Sequence, residues 1–391
     1  MKKLAALLLV LTLCTALAAC AAKTAETATT AAAETTASAA ETTTAAATTA
    51  AAAETTTAAA SSGGAFEYKK LYEYPEPTAI DSQAALDNLA YQQGDRPLIA
   101  YMPAGLEFSY YLAMGEGVKA AAAELGADVV TLAPQSGSDI NGQVGMLQDA
   151  ITQGVDAILL NPHDDAAAAP IVDQAIAAGI AVFNINSDAT TWETKLTGVI
   201  GYAQRASNKE QGAMVAEAFK DKELKIGIIE GLPGYHSTER CGGFEEGIAS
   251  HPNYEIVARL NGQWNVDGGN QAGMDMLQAH PEINMIYCAN DQEAEGLLQA
   301  CKALGRTDVV IIGNDGNTEA LEAIYDGDIF STVNTVPYEM GEYCCQAAID
   351  ALTGHFTGGF VETPAYVTTK DNVLGFLQQP ERLNPAPSKT Y

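Results

Sequence analysis

Basic residues are scarce in this sequence. It contains 20 lysine and arginine residues against 49 aspartate and glutamate residues, so its formal net charge is −29 at pH 7. Nucleic acids and anionic lipid headgroups attract proteins through basic patches, so the acidity of this chain argues against binding either of them by charge. The charge sets no such limit on a small neutral ligand.

Residue patterns of metal sites and of several enzyme classes are also missing. The five histidines are separated and form no HxxxH or HExxH pair. We find no nucleophile elbow, P-loop or Rossmann glycine triplet, and no pair of strand-end acids of the kind a glycosidase uses. The calcium-loop pattern that starts at Asp139 lacks the later glutamate of an EF-hand. We therefore expect no metal, no cofactor and no enzymatic activity.

Long apolar runs are missing after residue 20, and the first run has the form of a secretory signal. Lys2-Lys3 precede the apolar stretch Leu4–Leu13, whereas no later segment offers the ~18–20 apolar residues needed to span a bilayer. Leu17-Ala18-Ala19-Cys20 resembles the bacterial lipobox, in which the cysteine becomes the acylated first residue of the mature protein. We expect residues 1–20 to be a lipoprotein signal and Cys20 to anchor the chain to the membrane. An ordinary signal, with the cysteine incidental, is the alternative.

Residues 21–64 consist almost entirely of alanine and threonine. The tract has no aromatic or large aliphatic side chains, so it cannot bury enough surface to offset the entropy lost on ordering. It is predicted to be a disordered tether, which would span ~35 Å as a coil and roughly 140 Å when stretched. A partly helical alanine tract is the alternative.

The cysteines specify no disulfide. Of the seven, Cys14 belongs to the signal and Cys20 to the predicted anchor. The other five are an odd number, so they cannot all pair with one another, and they lack the spacing of metal ligands. Those five are Cys241, Cys288, Cys301, Cys344 and Cys345. An exported protein permits disulfides, but buried free cysteine also behaves as a small hydrophobic residue.

From Pro97 onward, apolar β-branched runs alternate with amphipathic helical patterns. A first cycle has runs at 98–102, 127–133, 155–161 and 180–186. After Gly198–Gly201 a second cycle has runs at 225–231, 254–260, 283–287, 308–313 and 329–334. Such runs are typical of parallel strands covered by helices on both faces. The sequence therefore predicts an α/β protein with two doubly wound, Rossmann-like lobes.

Polar and aromatic residues gather just after these strands, at the sheet edge where α/β folds bind ligands. They include Phe108, Tyr110, Tyr111, Asn161, His163, Asn186, Ser187, Asp188, His236, Thr238, Arg240, Trp264, Asn265, Asn290, Asp291, Asn314, Asp315 and Thr335. Carboxylates, amides and a guanidinium can each engage two neighbouring hydroxyls, and aromatic rings can pack on the C–H face of a sugar. The mixture favours a small polyhydroxy ligand in a cleft between the lobes.

Structural roles are the alternatives for these residues. The aromatic residues could form a lobe interface, Arg240 could be a solvated helix residue, and Asp315 could cap a helix. Asn161 and His163 are expected only to shape their loop. Asp291 is predicted to be the N-cap of the helix that follows it.

At these residues the sequence resembles the bacterial type I periplasmic sugar-binding proteins, the ribose- and galactose-binding group of ABC importer receptors. The resemblance covers about residues 96–375, and its most specific segments are GYHSTERCGGFEEGI, IYCANDQEAEG and VVIIGNDGNTEALEAIYDGDIFSTV. It implies ligand contacts from Phe108, Tyr110, Tyr111, Arg240, Trp264, Asn265, Asn290 and Asp315. Asn186, Asp188 and Thr335 complete the predicted site.

Two departures from the family pattern bear on the ligand. Asn186-Ser187 replace the Asp-Arg pair that often follows the fourth strand, and Thr335 stands where ribose binders carry glutamine. Losing a charged pair changes which hydroxyls are recognised, so ribose itself is not predicted.

The resemblance also implies the domain organisation. Three crossings near Gly201–Ala203, Thr335–Pro337 and Glu362–Ala365 would join the lobes, which would close on the ligand by a hinge motion. The expected parts are a lead-in strap (65–95), an N-terminal lobe (96–201 plus 336–363), a C-terminal lobe (202–335 plus 364–380) and a tail (381–391).

The function implied is that of a monomeric, lipid-anchored extracytoplasmic receptor that delivers a monosaccharide or similar polyol to an ABC permease. A sensor subunit that presents a sugar or nucleoside to a chemoreceptor or sensor kinase is the first alternative. An enzyme such as a glycosidase is the second.

Overall fold

Two six-stranded sheets form the framework of the protein. A computed structural model describes residues 66–391 apart from positions 135 and 193, so the predicted signal, Cys20 and the tether lie outside the described residues. The strands are β1 (Leu98–Met102), β2 (Asp128–Thr131), β3 (Ala157–Leu160), β4 (Ala181–Ile185), β5 (Gly198–Gly201), β6 (Leu224–Glu230), β7 (Tyr254–Asn261), β8 (Met285–Cys288), β9 (Val310–Asp315), β10 (Ser331–Asn334), β11 (Gly359–Glu362) and β12 (Tyr366–Thr369).

Helices connect most of these strands. They are α1 (Gln83–Asp87), α2 (Ser109–Leu125), α3 (Ile140–Gln153), α4 (Asp165–Ala177), α5 (Gln204–Ala218), α6 (Tyr235–Ile248), α7 (Val266–Ala279), α8 (Asp291–Leu304), α9 (Thr318–Asp326), α10 (Pro337–Leu352) and α11 (Val373–Leu377). A 3₁₀ turn, Pro380–Arg382, follows the last helix. None of the helices in the described part of the chain is long and apolar enough to cross a membrane.

The two sheets share one topology. Their strand orders are β11-β5-β4-β3-β1-β2 and β12-β10-β9-β8-β6-β7, with all pairs parallel except β10 and β12. In each sheet the second strand in chain order lies on one side of the first strand, and the third and later strands lie on its other side. The strand order therefore reverses beside β1 and beside β6, which is where doubly wound sheets bind ligands. The predicted fold class is confirmed.

Alternating side chains of each strand pack against helices on opposite faces of the sheet. Ile99 and Tyr101 of β1 join a core with α2 and α10, whereas Ala100 and Met102 join a core with α3 and α4. The second sheet is covered in the same way, by α5 and α6 on one face and by α7, α8 and α9 on the other. Because both faces are buried, the strands need continuous apolar runs, and such runs were the pattern visible in the sequence.

The chain passes between the sheets three times. It leaves the first sheet after β5, returns through α10 after β10, and crosses again between β11 and β12. We call the first sheet with its helices the first lobe and the second sheet with its helices the second lobe. Val336, in the middle crossing, has a φ of 44°, a left-handed conformation that is strained for a β-branched residue.

The segment before β1 packs on the first lobe as a strap. Thr78 forms an antiparallel bridge to Phe360 and so covers the edge strand β11. The buried carboxylate of Asp350 on α10 accepts hydrogen bonds from Lys70 Nζ and from the Tyr74 hydroxyl, both at 2.6 Å. These contacts tie residues far apart in sequence to one helix of the first lobe.

The structure differs from the expected elements at two strands and two helix starts. β5 and β11 were not predicted, because each is a four-residue strand that starts at a glycine and carries little strand signal. The sequence pattern predicts helices over Asn208–Lys220 and Glu239–Ile248, whereas α5 begins at Gln204 and α6 at Tyr235, each four residues earlier. Their first turns carry polar side chains that face the protein interior, so apolar periodicity does not reveal them.

The five cysteines that the structure describes are all buried, and none of them forms a disulfide with another. Within the same part of the chain, no three His, Cys, Asp or Glu side chains are grouped so that they could hold a metal ion.

Replacing Asp350 by Ala should detach the strap. The change leaves the hydroxyl of Tyr74 and the ammonium of Lys70 without their acceptor, so we expect the free energy of unfolding to fall by about 2–4 kcal/mol. Limited trypsin digestion should then cleave after Lys69 or Lys70 faster than in the wild type. Asp173→Ala, at an exposed aspartate, serves as the matched control. Equal cleavage rates in Asp350→Ala and Asp173→Ala would contradict the conclusion that Asp350 holds the strap on the first lobe.

Candidate ligand-binding site

A cavity of about 380 Å³ lies between the two lobes at the carboxyl edges of their sheets. Its volume is within the range of small-ligand sites. The first lobe contributes residues that follow β1, β3 and β4, and the second lobe contributes residues from α6 and from the ends of β7, β8 and β9. Eight of the predicted site residues line it: Phe108, Tyr110, Tyr111, Asn186, Arg240, Trp264, Asn290 and Asp315.

A buried ion pair forms one wall of the cavity. Arg240 Nη1 lies 2.8 Å from Asp315 Oδ1, and the two side chains are 5% and 8% exposed. The same nitrogen donates to the carbonyl of Ala289 at 3.0 Å, and Arg240 Nε donates to Gln204 Oε1 at 3.3 Å. Arg240 Nη2 and Asp315 Oδ2 have no hydrogen-bond partner among the described residues. Each partner of the ion pair thus keeps one hydrogen-bonding group without a partner among the described residues.

The backbone places Asp315 in an unusual conformation at the end of β9. Its φ is 139°, and Gly316 follows with a φ of 92°. The turn is held from behind by the buried Asp291, whose Oδ2 accepts from the backbone N–H groups of Gly316 at 2.7 Å and Asn317 at 2.9 Å. Burial raises the pKa of Asp315, and the guanidinium of Arg240 opposes that shift.

Two tyrosines at the start of α2 form the opposite wall. The Tyr110 hydroxyl donates to Asn186 Oδ1 at 2.8 Å, and the Tyr111 hydroxyl donates to Asn161 Oδ1 at 2.5 Å. Their rings meet nearly at right angles, with centroids 5.2 Å apart. Asn161, which was expected only to shape its loop, does orient Tyr111 and also borders the cavity.

Trp264 and Asn290 come from neighbouring strand ends of the second lobe. Asn290 caps α8 through Oδ1, which accepts from Glu293 N at 2.8 Å, and its Nδ2 donates to the carbonyl of Trp264 at 3.1 Å. The guanidinium of Arg240 lies 5.4 Å from the centre of the Trp264 ring. The prediction that Asp291 is the N-cap is wrong, because Asn290 holds that position and Asp291 is the first helical residue.

Three predicted site residues do not line the cavity. Asp188 accepts from the backbone N–H of Gln204 at 2.9 Å and from the Tyr235 hydroxyl at 3.1 Å, and so joins the lobes at the cavity rim. Asn265 caps α7 by accepting from Gly268 N at 2.8 Å. Thr335 is fully buried behind the cavity, with its hydroxyl 3.0 Å from that of Tyr110.

The chain is similar to known proteins in sequence and in fold. The family described as "Periplasmic binding protein domain" matches residues 99–355. The chain belongs to this family. Within it, the chain is 28% identical to the D-ribose/D-allose-binding protein of Pseudomonas aeruginosa over 75% of its length and 95% of the relative's. The ribose import binding protein RbsB of Bacillus subtilis is 29% identical over 67% of this chain and 83% of its own length.

A solved structure shares the fold of this chain. It is a periplasmic solute-binding protein of an ABC transporter from Actinobacillus succinogenes with bound D-allose, and it superposes with a TM-score of 0.68 at 24% identity. The match covers 72% of this chain and 100% of that one. The resemblance seen in the sequence is confirmed. The chain is a solute-binding protein and not an enzyme.

Several cavity residues of this periplasmic binding protein were not in the predicted set. They include Asn184, Ser187, Leu232, Pro233, Tyr235 and His236. Ser187 and His236 were noted at strand ends but not selected. Because α6 begins at Tyr235, His236 lies one helical turn before Arg240 on the same face, a relation that the later predicted helix start concealed.

Glu293 is a buried carboxyl beneath the site. Its Oε1 accepts from the backbone N–H of Trp264 at 3.0 Å, while Oε2 is buried and has no partner among the described residues. Burial raises the pKa of Glu293 to about 8. The folded protein therefore holds a proton at this side chain at pH values where the unfolded chain has released it.

Replacing Glu293 by Gln should flatten the dependence of stability on pH. Since the folded pKa is above the ordinary value of 4.5, stability is full below that value and is lost as the pH rises towards 8. Melting temperatures of wild type and Glu293→Gln should agree at pH 5, and the variant should melt several degrees higher at pH 9. If the melting temperatures of the wild type and Glu293→Gln change in parallel with pH, the raised pKa of Glu293 is contradicted. The exposed Glu282→Gln serves as a control.

Proposed function

We propose that this protein is the extracytoplasmic binding subunit of an ABC importer and that it binds a monosaccharide or similar small polyol between its lobes. The observation that carries the proposal is the pair formed by Arg240 and Asp315. Arg240 Nη2 and Asp315 Oδ2 are left without a partner among the described residues, and both residues line the cavity. Two neighbouring hydroxyls of a sugar fit such a donor and acceptor.

The aromatic residues support the same ligand class. Tyr110, Tyr111 and Trp264 offer ring surface on both sides of the cavity, where the C–H face of a sugar ring can pack. The hydroxyls of the two tyrosines are already occupied by Asn161 and Asn186. The relatives named above bind D-ribose or D-allose, which belong to the proposed class.

Contacts across the cavity rim support opening and closing of the lobes. Tyr235 donates to Asp188 at 3.1 Å, and Gln292 Nε2 donates to the carbonyl of Glu107 at 3.4 Å. Both bonds join one lobe to the other and must break before the lobes separate. We propose that the lobes rotate apart about the three crossings to admit a ligand. The strained Val336 lies in the middle crossing.

Membrane attachment is a further part of the proposal. The sequence Leu17-Ala18-Ala19-Cys20 supports acylation of Cys20, and residues 21–64 would hold the lobes away from the membrane. A monomeric protein anchored in this way would present its ligand to the transmembrane permease.

A thermal-shift panel of D-ribose, D-allose, other pentoses and hexoses, myo-inositol and nucleosides tests the ligand class. At least one sugar or polyol should stabilise the wild type, by about 2.7 kcal/mol at a hundredfold excess over Kd. Asp315→Asn and Arg240→Gln should weaken that binding about 10- to 100-fold, because each removes a charged hydrogen-bonding group.

The ion pair of the half-buried Arg306 and the exposed Asp308 lies outside the cavity lining and provides matched controls in the same lobe. Arg306→Gln and Asp308→Asn should bind the sugar like the wild type. The proposed function fails if no member of the panel shifts the melting temperature. The site assignment alone fails if Asp315→Asn and Arg240→Gln retain full affinity.

Replacing Cys20 by Ser should release the protein from the membrane. Without the thiol no acyl group can be attached at this position, so a fraction bound to membranes in the wild type should become soluble. Immunoblots of membrane and soluble fractions measure the change, with Cys14→Ser as the control. Retention of Cys20→Ser in the membrane fraction would contradict acylation.

A further inference from the structure

His236 lines the cavity one helical turn before Arg240 on α6. We propose that His236 is a specificity-determining residue that accepts a hydrogen bond from a ligand hydroxyl through Nε2. The inference rests on the proposed function, because it concerns a sugar or polyol bound in the same cavity. It follows from a chain of hydrogen bonds whose donors and acceptors are fixed by chemistry.

The chain begins with the orientation of the Gln204 side chain. Gln204 Nε2 lies 3.1 Å from Asp188 Oδ1, and the backbone N–H of Gln204 donates to Asp188 Oδ2 at 2.9 Å. A carboxylate only accepts, so the amide must present its NH₂ group to Asp188 and its oxygen to the other side. Arg240 Nε donates to that oxygen at 3.3 Å, and a guanidinium has no acceptor. Both neighbours require the same orientation.

The orientation of Gln204 fixes the tautomer of His236. Gln204 Oε1 lies 2.9 Å from His236 Nδ1, and an amide oxygen only accepts, so Nδ1 must carry the hydrogen. Burial, together with the adjacent guanidinium of Arg240, lowers the pKa of His236 to about 3, which keeps the ring neutral. A neutral ring with its hydrogen on Nδ1 has a lone pair on Nε2.

His236 Nε2 has no hydrogen-bond partner among the described residues. This part of the cavity wall therefore offers an acceptor, and Arg240, one helical turn further along α6, offers a donor through Nη2. A ligand hydroxyl can donate to it, whereas a keto oxygen or an ether oxygen would place two acceptors together. A methylene group would leave the nitrogen unsatisfied. The site thus selects a ligand with a free hydroxyl at this position and rejects its O-methyl or deoxy analogue.

The tautomer can be measured without a ligand. Long-range ¹H–¹⁵N correlation spectra of the uniformly ¹⁵N-labelled protein should show a neutral imidazole with its hydrogen on Nδ1, and these signals should be missing in His236→Asn. The hydrogen on Nε2, or a doubly protonated ring at pH 7, would overturn the proposal. His280→Asn identifies the signals of an exposed histidine for comparison.

Binding tests the role of the acceptor, with the panel sugar that stabilises the wild type most. His236→Asn keeps a donor for Gln204 but loses the Nε2 acceptor, so its affinity should fall roughly three- to tenfold. His236→Gln places an amide oxygen near the position of Nε2 and should recover part of the loss. His280→Asn should bind like the wild type. The melting temperatures of the unliganded variants report whether they fold.

Monodeoxy analogues of the same sugar separate recognition from a structural effect. The analogue that lacks the recognised hydroxyl should bind wild type and His236→Asn equally, while the other analogues should bind the variant more weakly than the wild type. If His236→Asn binds the parent sugar as tightly as the wild type does, or loses affinity equally for every analogue, the role of His236 is overturned. If no panel sugar binds the wild type, the proposed function itself fails, and this role fails with it.

Discussion

The buried ion pair between Arg240 and Asp315 is the interaction on which the site depends. Two charges removed from water are stable only when their hydrogen-bonding groups are satisfied, and here each partner keeps one group free at the cavity wall. The pair exists because β9 ends in a strained residue and because Asp291 binds the backbone that follows it. The fold therefore fixes a charged donor and a charged acceptor in position, and a ligand or water supplies their remaining hydrogen bonds.

Asp188 extends this polar network from the second lobe into the first. It belongs to the loop after β4, yet it fixes Gln204, which in turn contacts both His236 and Arg240. The Tyr235 hydroxyl binds the same carboxylate. The orientation of groups that face the ligand thus depends on how the lobes meet, so recognition and closure are parts of one hydrogen-bonded system.

Sequence patterns predicted the two sheets well, because strands buried on both faces require uninterrupted apolar runs. They predicted the starts of α5 and α6 poorly, since buried polar residues such as Gln204 hide the helical periodicity. Eight predicted residues line the cavity because strand ends share one edge of a sheet. The pattern could not show that Thr335 points behind the cavity or that Asn265 caps a helix. These directions are set by local backbone angles and neighbouring side chains.

Under the proposed membrane attachment, the strap is the segment through which the first 65 residues would pull on the lobes. The described chain begins at Phe66, whose backbone N–H donates to the carbonyl of Gly94, and the strap then runs to the carboxylate of Asp350. Asp350 belongs to the first lobe, and Gly94 lies four residues before β1 of the same lobe. A pull from the preceding residues would load the first lobe alone. The second lobe would carry none of that force and could rotate about the crossings.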